Sequence, residues 1–208
     1  MSTQPEDDHP TMITLVGFIL PDELSANLTI VQVLVTRGGL ARVFTPDDRP
    51  LLEYLSWPHR LEEFKQWLND HDYEPVILDQ LLAHKLVVIY TPDDNAQALD
   101  AFTGLRLDPG CFPIPSRDDD PETVWVGHDP NMDNGEVLIT SLLGDIMWNS
   151  LPDEDIPTAA ARLSSEWQIP DNLRGRYFFL GFLELLAEKL ACLEWVKDPC
   201  PPPPNSVS

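Results

Sequence analysis

Apolar residues along this chain keep two different periods, and the two alternate twice. Residues 12–20, 28–35 and 40–44 are rich in β-branched and aromatic side chains, and Arg37-Gly38-Gly39 supplies a turn between the last two. That pattern predicts a hairpin with a further strand before it. The period then changes to the helical i, i+3, i+4 spacing. A first helix carries Leu51, Leu52, Tyr54 and Leu55 and closes at Pro58. A second carries Leu61, Phe64, Trp67 and Leu68, and a third Val76, Ile77, Leu81 and Leu82. The run Leu86-Val87-Val88-Ile89-Tyr90 reads as a closing strand.

The same succession returns downstream. Thr123-Val124-Trp125-Val126 and residues 136–139 flank a turn through Asp133-Asn134-Gly135. Helical spacing follows in Leu142, Leu143, Ile146 and Met147, ending at Pro152. It continues in Ile156, Ala159, Ala160, Leu163 and Trp167, then in one long helix holding Phe178, Phe179, Phe182, Leu183, Leu185, Leu186 and Leu190. Cys192-Leu193-Glu194-Trp195-Val196 closes the set. Leu81-Leu82-Ala83-His84-Lys85-Leu86 and Leu185-Leu186-Ala187-Glu188-Lys189-Leu190 agree at five of six positions. From the proline to that motif the distance is 23 residues in one copy and 33 in the other, which places an insertion of ten in residues 164–177. Recurrence of a whole succession marks an internal repeat.

The expected fold class is therefore α+β. Two winged-helix-like units, each a β-hairpin plus three helices, occupy residues 11–91 and 122–197. A Pro/Asp-rich linker, residues 92–121, joins them across the surface. Residues 1–10 and the Pro-rich 198–208 are expected to be disordered.

Charge narrows the partners. Thirteen Lys+Arg against 35 Asp+Glu give a formal net charge of −22. Phosphate backbones bind through cations, so this balance disfavours DNA and favours a basic peptide or protein. The bland alternative is that the charge only confers solubility or salt tolerance. The third helices agree with the first view: one offers only His84 and Lys85 beside Asp79, the other Arg174 and Arg176 followed by Glu184 and Glu188. Three cysteines (Cys111, Cys192, Cys200) with no CxxC argue against a disulfide framework or a zinc site. No run of 18 apolar residues suits a membrane span, and the opening residues do not resemble a signal peptide. The expected location is the cytoplasm.

Candidate chemistry is sparse. Asp129-Pro130-Asn131-Met132-Asp133 begins like a calcium loop, but the sixth and twelfth positions are Asn134 and Thr140 rather than glycine and an acid. A tight turn explains it better. His128 has no partner at metal spacing. Asp118-Asp119-Asp120 and Asp153-Glu154-Asp155 read as solvated acid runs, the second also as a helix N-cap. Cys111 lacks an indicated base, and the common enzyme signatures do not occur. No catalytic residue, cofactor or metal is expected. Six tryptophans are many for this length. They read as core filling, with an exposed peptide anchor as the alternative.

The second copy resembles the PqqD-like fold, also known as the RiPP recognition element. The residues that carry the resemblance are Ile146-Met147-Trp148-Asn149-Ser150-Leu151, the Thr-Ala-rich Ile156-Pro157-Thr158-Ala159-Ala160-Ala161-Arg162-Leu163, and Phe182-Leu183-Glu184-Leu185-Leu186. The first copy is similar more loosely through residues 51–90. The resemblance implies a non-catalytic adaptor that binds a precursor (leader) peptide for a partner enzyme. The peptide would add a strand to a hairpin edge and pack on a third helix. Carried over, it would meet Val31, Val33, Val35, Leu78, Leu82 and Lys85 in one copy, and Val137, Ile139, Phe182 and Leu186 in the other. The competing expectation is a transcription-related regulator, either a winged-helix DNA binder or an acidic DNA mimic occupying a basic protein.

Overall fold

Two lysines in the left-handed region explain why one hexapeptide is written twice. The computed structural model describes residues 9–20, 31–35, 41–114, 121–130 and 135–197. In it Lys85 and Lys189 have φ of 58° and 57°. Each follows a short helix. Lys85 N–H donates to Leu82 O (3.0 Å) and Leu86 N–H to Leu81 O (2.9 Å). Lys189 N–H donates to Leu186 O (3.2 Å) and Leu190 N–H to Leu185 O (2.9 Å). This pair of bonds is the Schellman helix stop, which also wants an apolar contact between the residue after the cap and the last turn. Leu81 with Leu86, and Leu185 with Leu190, meet that need from buried positions.

The first half begins with β1 (Met12–Leu15) and β2 (Phe18–Ile19), then β3 (Val31–Leu34) and β4 (Ala41–Phe44). Next come α1 (Arg49–Leu55), the short β5 (His59–Arg60), α2 (Leu61–Asp70), α3 (Val76–Ala83) and β6 (Val87–Tyr90). The second half runs β7 (Leu105–Pro109), β8 (Phe112–Ile114), β9 (Thr123–Gly127), β10 (Val137–Thr140), α4 (Ser141–Asn149), α5 (Ile156–Glu166), α6 (Asp171–Phe179), α7 (Phe182–Ala187) and β11 (Ala191–Trp195). All pairing is antiparallel. Its orders are β5-β1-β6, β2-β3-β4, β10-β9-β8 and β11-β7. The first strand of each half thus pairs with that half's last strand, and the three strands that follow it form a separate sheet, with β5 added on the other edge of β1. The hairpins expected at 28–35/40–44 and 123–126/136–139 coincide with β3–β4 and β9–β10. Residues 28–30, the turn at 37–39, Asp118-Asp119-Asp120, residues 131–134, Cys200 and the proline tail lie outside the described residues.

Two expectations need correction. Residues 92–121 do not act as a surface linker where they are described. Leu99 and Phe102, in a 3-10 segment at Ala96–Phe102, are buried, as are Leu105, Leu107, Cys111 and Ile114. β7 and β8 are integral strands of the second half. Frequent Asp, Pro and Gly in this stretch hide a sparse apolar set that packs inward. The long third helix of the second half is likewise two helices. Gly181 breaks it with φ 87°. A Cβ there would lie 2.6 Å from Leu138 O, so β10 can approach only a glycine. The inserted residues build α6, whose Gly175 is pressed against the 93–95 backbone and whose Arg176 N–H donates to Asp94 O (3.1 Å).

The halves share a core. One buried cluster, with Ile13, Leu52, Leu55 and Phe64 at its centre, belongs to the first half. The other draws Met12, Val16, Val88 and Tyr90 from the first half into the second half's interior. There Tyr90, Phe102, Phe178, Phe179 and Phe182 form a ring cluster with centroids as close as 4.7 Å. Fully burying one such side chain contributes about 1.5–3 kcal/mol. Backbone bonds add to this. Gly17 N–H donates to Leu193 O (2.6 Å) and Trp195 N–H to Val35 O (2.8 Å), so the outer edge of β11 is stitched to the first half. The Trp195 indole N–H also donates to Lys85 O (2.9 Å).

Candidate functional site

Where β11 and α7 approach β1, β2 and α1, the halves leave a cleft of about 770 Å³ between them. Its floor is formed by Ala191, Cys192, Leu193 and Glu194, with Leu15 and Gly17 beside them. Phe18 and Trp57 stand at the walls, 46% and 47% exposed. Both are large apolar groups that the fold leaves half in water. The Lys189 ammonium lies 5.5 Å from the centroid of the Trp57 ring, a distance at which the ring face attracts a cation.

The free edge of β2 is the cleft's distinctive feature. Along this strand successive backbone groups point to opposite sides. Leu20 N–H donates inward to Gln32 O beside β3, whereas Gly17 N–H donates outward to Leu193 O. Ile19, two residues after Gly17, turns its N–H and C=O to that same outer side, where β2 has no neighbouring strand among the described residues. An extended chain laid there continues the sheet.

Charges around the cleft are mixed and mostly paired. Arg49 binds Glu53 at 3.3 Å on α1. Behind the floor, Arg106 Nε donates to the buried Glu194 carboxylate (2.7 Å), and Nη1 donates to Pro152 O (3.4 Å). Burial pushes the Cys192 thiol up to about 12, with Asp108 and Glu194 adding to the shift. The Cys111 thiol rises to about 11, again chiefly through burial and then through Glu136. Both therefore stay protonated near neutral pH, and neither offers the thiolate that nucleophilic chemistry requires.

The residues expected to form peptide grooves are distributed otherwise. Val31, Val33 and Val35 are buried beneath their sheet, because alternation turns them to the core. Leu78 and Leu82 are half-buried on that same core, and Lys85 is exposed with its carbonyl taken by Trp195. Val137, Ile139 and Phe182 are buried as well. The space between β10 and α7 is filled where Gly181 presses on Leu138 O and Ile139. The side chains of these buried valines, Ile139 and Phe182 are thus not available to a ligand. Leu186 is also buried, but it lines the cleft between the halves. Phe18, Ile19, Trp57 and Lys189 were missed as site residues. Only Trp57 carried a signal, as one of the tryptophans weighed as anchors.

Other candidates settle into structural roles. Asp155 caps α5: its carboxylate accepts from Thr158 N–H (3.1 Å) and from Gly104 N–H (2.9 Å). Glu154 is buried and takes Arg162 through Nε (2.9 Å) and Nη2 (2.7 Å). That guanidinium is the main reason its carboxyl sits below the usual range. His128 faces Glu136 at 3.9 Å across the β9–β10 turn. Among the described residues no group of three His, Cys, Asp or Glu is placed to hold a metal, and no helix is long and apolar enough to cross a membrane. No protein-family model matches the sequence, and neither a curated protein nor a solved structure shows significant similarity to it.

Proposed function

We propose that this protein is a non-catalytic adaptor that binds an extended segment of a peptide or protein in the cleft between its halves. The observation that carries the reading is the outward-facing backbone of Ile19 at a strand edge that no other described strand pairs with, set beside two half-exposed aromatic rings. Strand addition supplies main-chain hydrogen bonds, and neighbouring pockets select side chains. Each half orders its elements as strand, three-stranded sheet, helices and strand. That order supports two winged-helix-like units of the PqqD-like kind, with a precursor peptide as the ligand. The free thiols of Cys111 and Cys192 support a reducing, cytoplasmic setting.

Small precursor-like peptides encoded beside the gene provide the test. The full chain is titrated with each by calorimetry, and one is expected to bind. Ile19→Pro removes the outward N–H while β3 pairing through Phe18 and Leu20 remains. Loss of one net hydrogen bond, about 1–1.5 kcal/mol, weakens that binding about tenfold. If no such peptide binds, or Ile19→Pro binds as well as the wild type, the cleft is not the site. The net charge of −22 supports one other reading, an acidic regulator that occupies a basic DNA-binding protein. That complex would dissociate with rising salt and would be indifferent to Ile19→Pro.

A further inference from the structure

We propose that the segment bound along β2 carries an aspartate or glutamate that meets the Lys189 ammonium, two positions from an apolar residue that packs on Phe18. This specifies the ligand of the cleft and rests on the cleft being the site. Among the described residues no acid pairs with the Lys189 ammonium, which lies over the Trp57 ring at 5.5 Å. The side chain is exposed at the cleft's wall. Its backbone is fixed by the helix stop, with φ 57° and the N–H given to Leu186 O (3.2 Å). A cation held at its backbone by the stop and at its tip by a ring face loses little freedom when an anion arrives.

The other charges that line the cleft are placed differently. Arg49 is paired with Glu53 at 3.3 Å. Glu194 is buried in the floor and takes Arg106 from behind, through Nε at 2.7 Å. Asp108 stands opposite Cys192 on β7 and makes no ion pair with Lys189. Lys189 is thus the cation that the cleft presents to a ligand. The molecule as a whole carries a formal net charge of −22, so most of its surface repels an acidic segment. A preference for an acid is therefore a signature of Lys189 and not of the general field.

Strand geometry sets the spacing. An antiparallel strand that exchanges both backbone bonds with Ile19 places one residue directly opposite it. That residue shares the face of the Ile19 side chain, which packs on the first half's cluster. Its two neighbours take the other face, because successive side chains alternate. That is the face of Phe18 and Leu20, which both line the cleft. The two ligand side chains turned to the cleft are therefore two positions apart. One has the half-exposed Phe18 ring to pack on, and the other has Lys189 as its charge partner.

The test selects random heptapeptides displayed on phage against the full chain. Enriched peptides are expected to carry Asp or Glu two positions from an aliphatic or aromatic residue, and Ile19→Pro should lose them. The best peptide is then synthesised beside its amide counterpart, with Gln for Glu or Asn for Asp. The amide form should bind the wild type about three- to fivefold more weakly. On Lys189→Gln the two forms should agree within about twofold, while Lys189→Arg should keep the preference. Peptides that depend on Ile19 but favour Lys or Arg, or show no charge preference, overturn this inference and leave the cleft as the site. An acid preference that survives Lys189→Gln does the same. No enrichment, or enrichment unaffected by Ile19→Pro, overturns both.

Discussion

Trp195 is packed against both buried clusters, the one in the first half and the one that spans the two. Replacing it with alanine should therefore uncouple the halves as well as destabilise them. Truncating a core aromatic to alanine costs about 3–5 kcal/mol. Trp195 is only half-buried, so the lower end, about 3 kcal/mol, is the expected share for packing. The indole bond to Lys85 O adds about 1 kcal/mol. The sum of about 4 kcal/mol is a large part of the 5–15 kcal/mol typical of a whole protein. Trp195→Phe isolates the smaller share, because a ring still fills the site, and should cost about 1–2 kcal/mol. The assay is urea denaturation read by both far-UV circular dichroism and tryptophan fluorescence. The wild type should unfold in one transition with coincident probes. In Trp195→Ala the midpoint should fall and the probes should separate, as the first half loses its stitched edge. The reasoning fails if Trp195→Ala costs less than about 1 kcal/mol. Two transitions in the wild type would also refute it.

Three further outcomes can be checked. Lys85→Gly relieves a left-handed residue whose cost is about 1–2 kcal/mol; less the about 0.5–1 kcal/mol that glycine's extra freedom in the unfolded chain takes back, about 1 kcal/mol remains, which should raise the thermal midpoint by about 2–4 °C. Glu154 has its carboxyl held low by Arg162, so its contribution is present above the ordinary value of 4.5 and is lost as pH falls below it. Glu154→Gln should be less stable than the wild type at pH 7, and the gap should narrow in denaturant titrations as the pH drops below 4.5. With Cys200→Ser as background, Cys111 and Cys192 should react slowly with a thiol reagent at pH 8 in the native protein and fast in denaturant, since burial holds both thiols up at about 11 and about 12.

Much of the fold was legible because it rests on local rules. The helical spacing of Leu51–Leu55, of Leu61–Leu68 and of Ile156–Leu163 marked α1, α2 and α5, since each needs one apolar stripe. The repeated hexapeptide was found by identity, and its meaning is a helix stop whose bonds span six residues. The break at Gly181 escaped notice because Phe178, Phe179 and Phe182 keep helical spacing across it. The constraint there comes from Leu138, more than forty positions earlier. Residues 96–114 misled through composition, as Leu99, Phe102 and Leu105 are outnumbered by residues typical of loops. The cleft was not legible at all. It assembles Phe18, Trp57 and Lys189 from distant parts of the chain, and its key groups are the backbone atoms of Ile19. A side-chain pattern marks Val31, Val33 and Val35 as one face of a strand, but does not tell a face turned to ligand from one turned to the interior.

The stitching of β11 to the first half also bears on the order in which the molecule can be completed. Every other described element is synthesised before β11, yet Gly17, Val35 and Lys85 all find partners in it. A nascent chain can form the cluster around Phe64 early, as N-terminal units usually do. Its β1–β2 corner nevertheless waits for the last strand. The first half is thus the older part of the molecule in time and the later one to be finished. A ribosome stalled before residue 191 would expose the same Phe18 surface that the complete protein turns into a cleft.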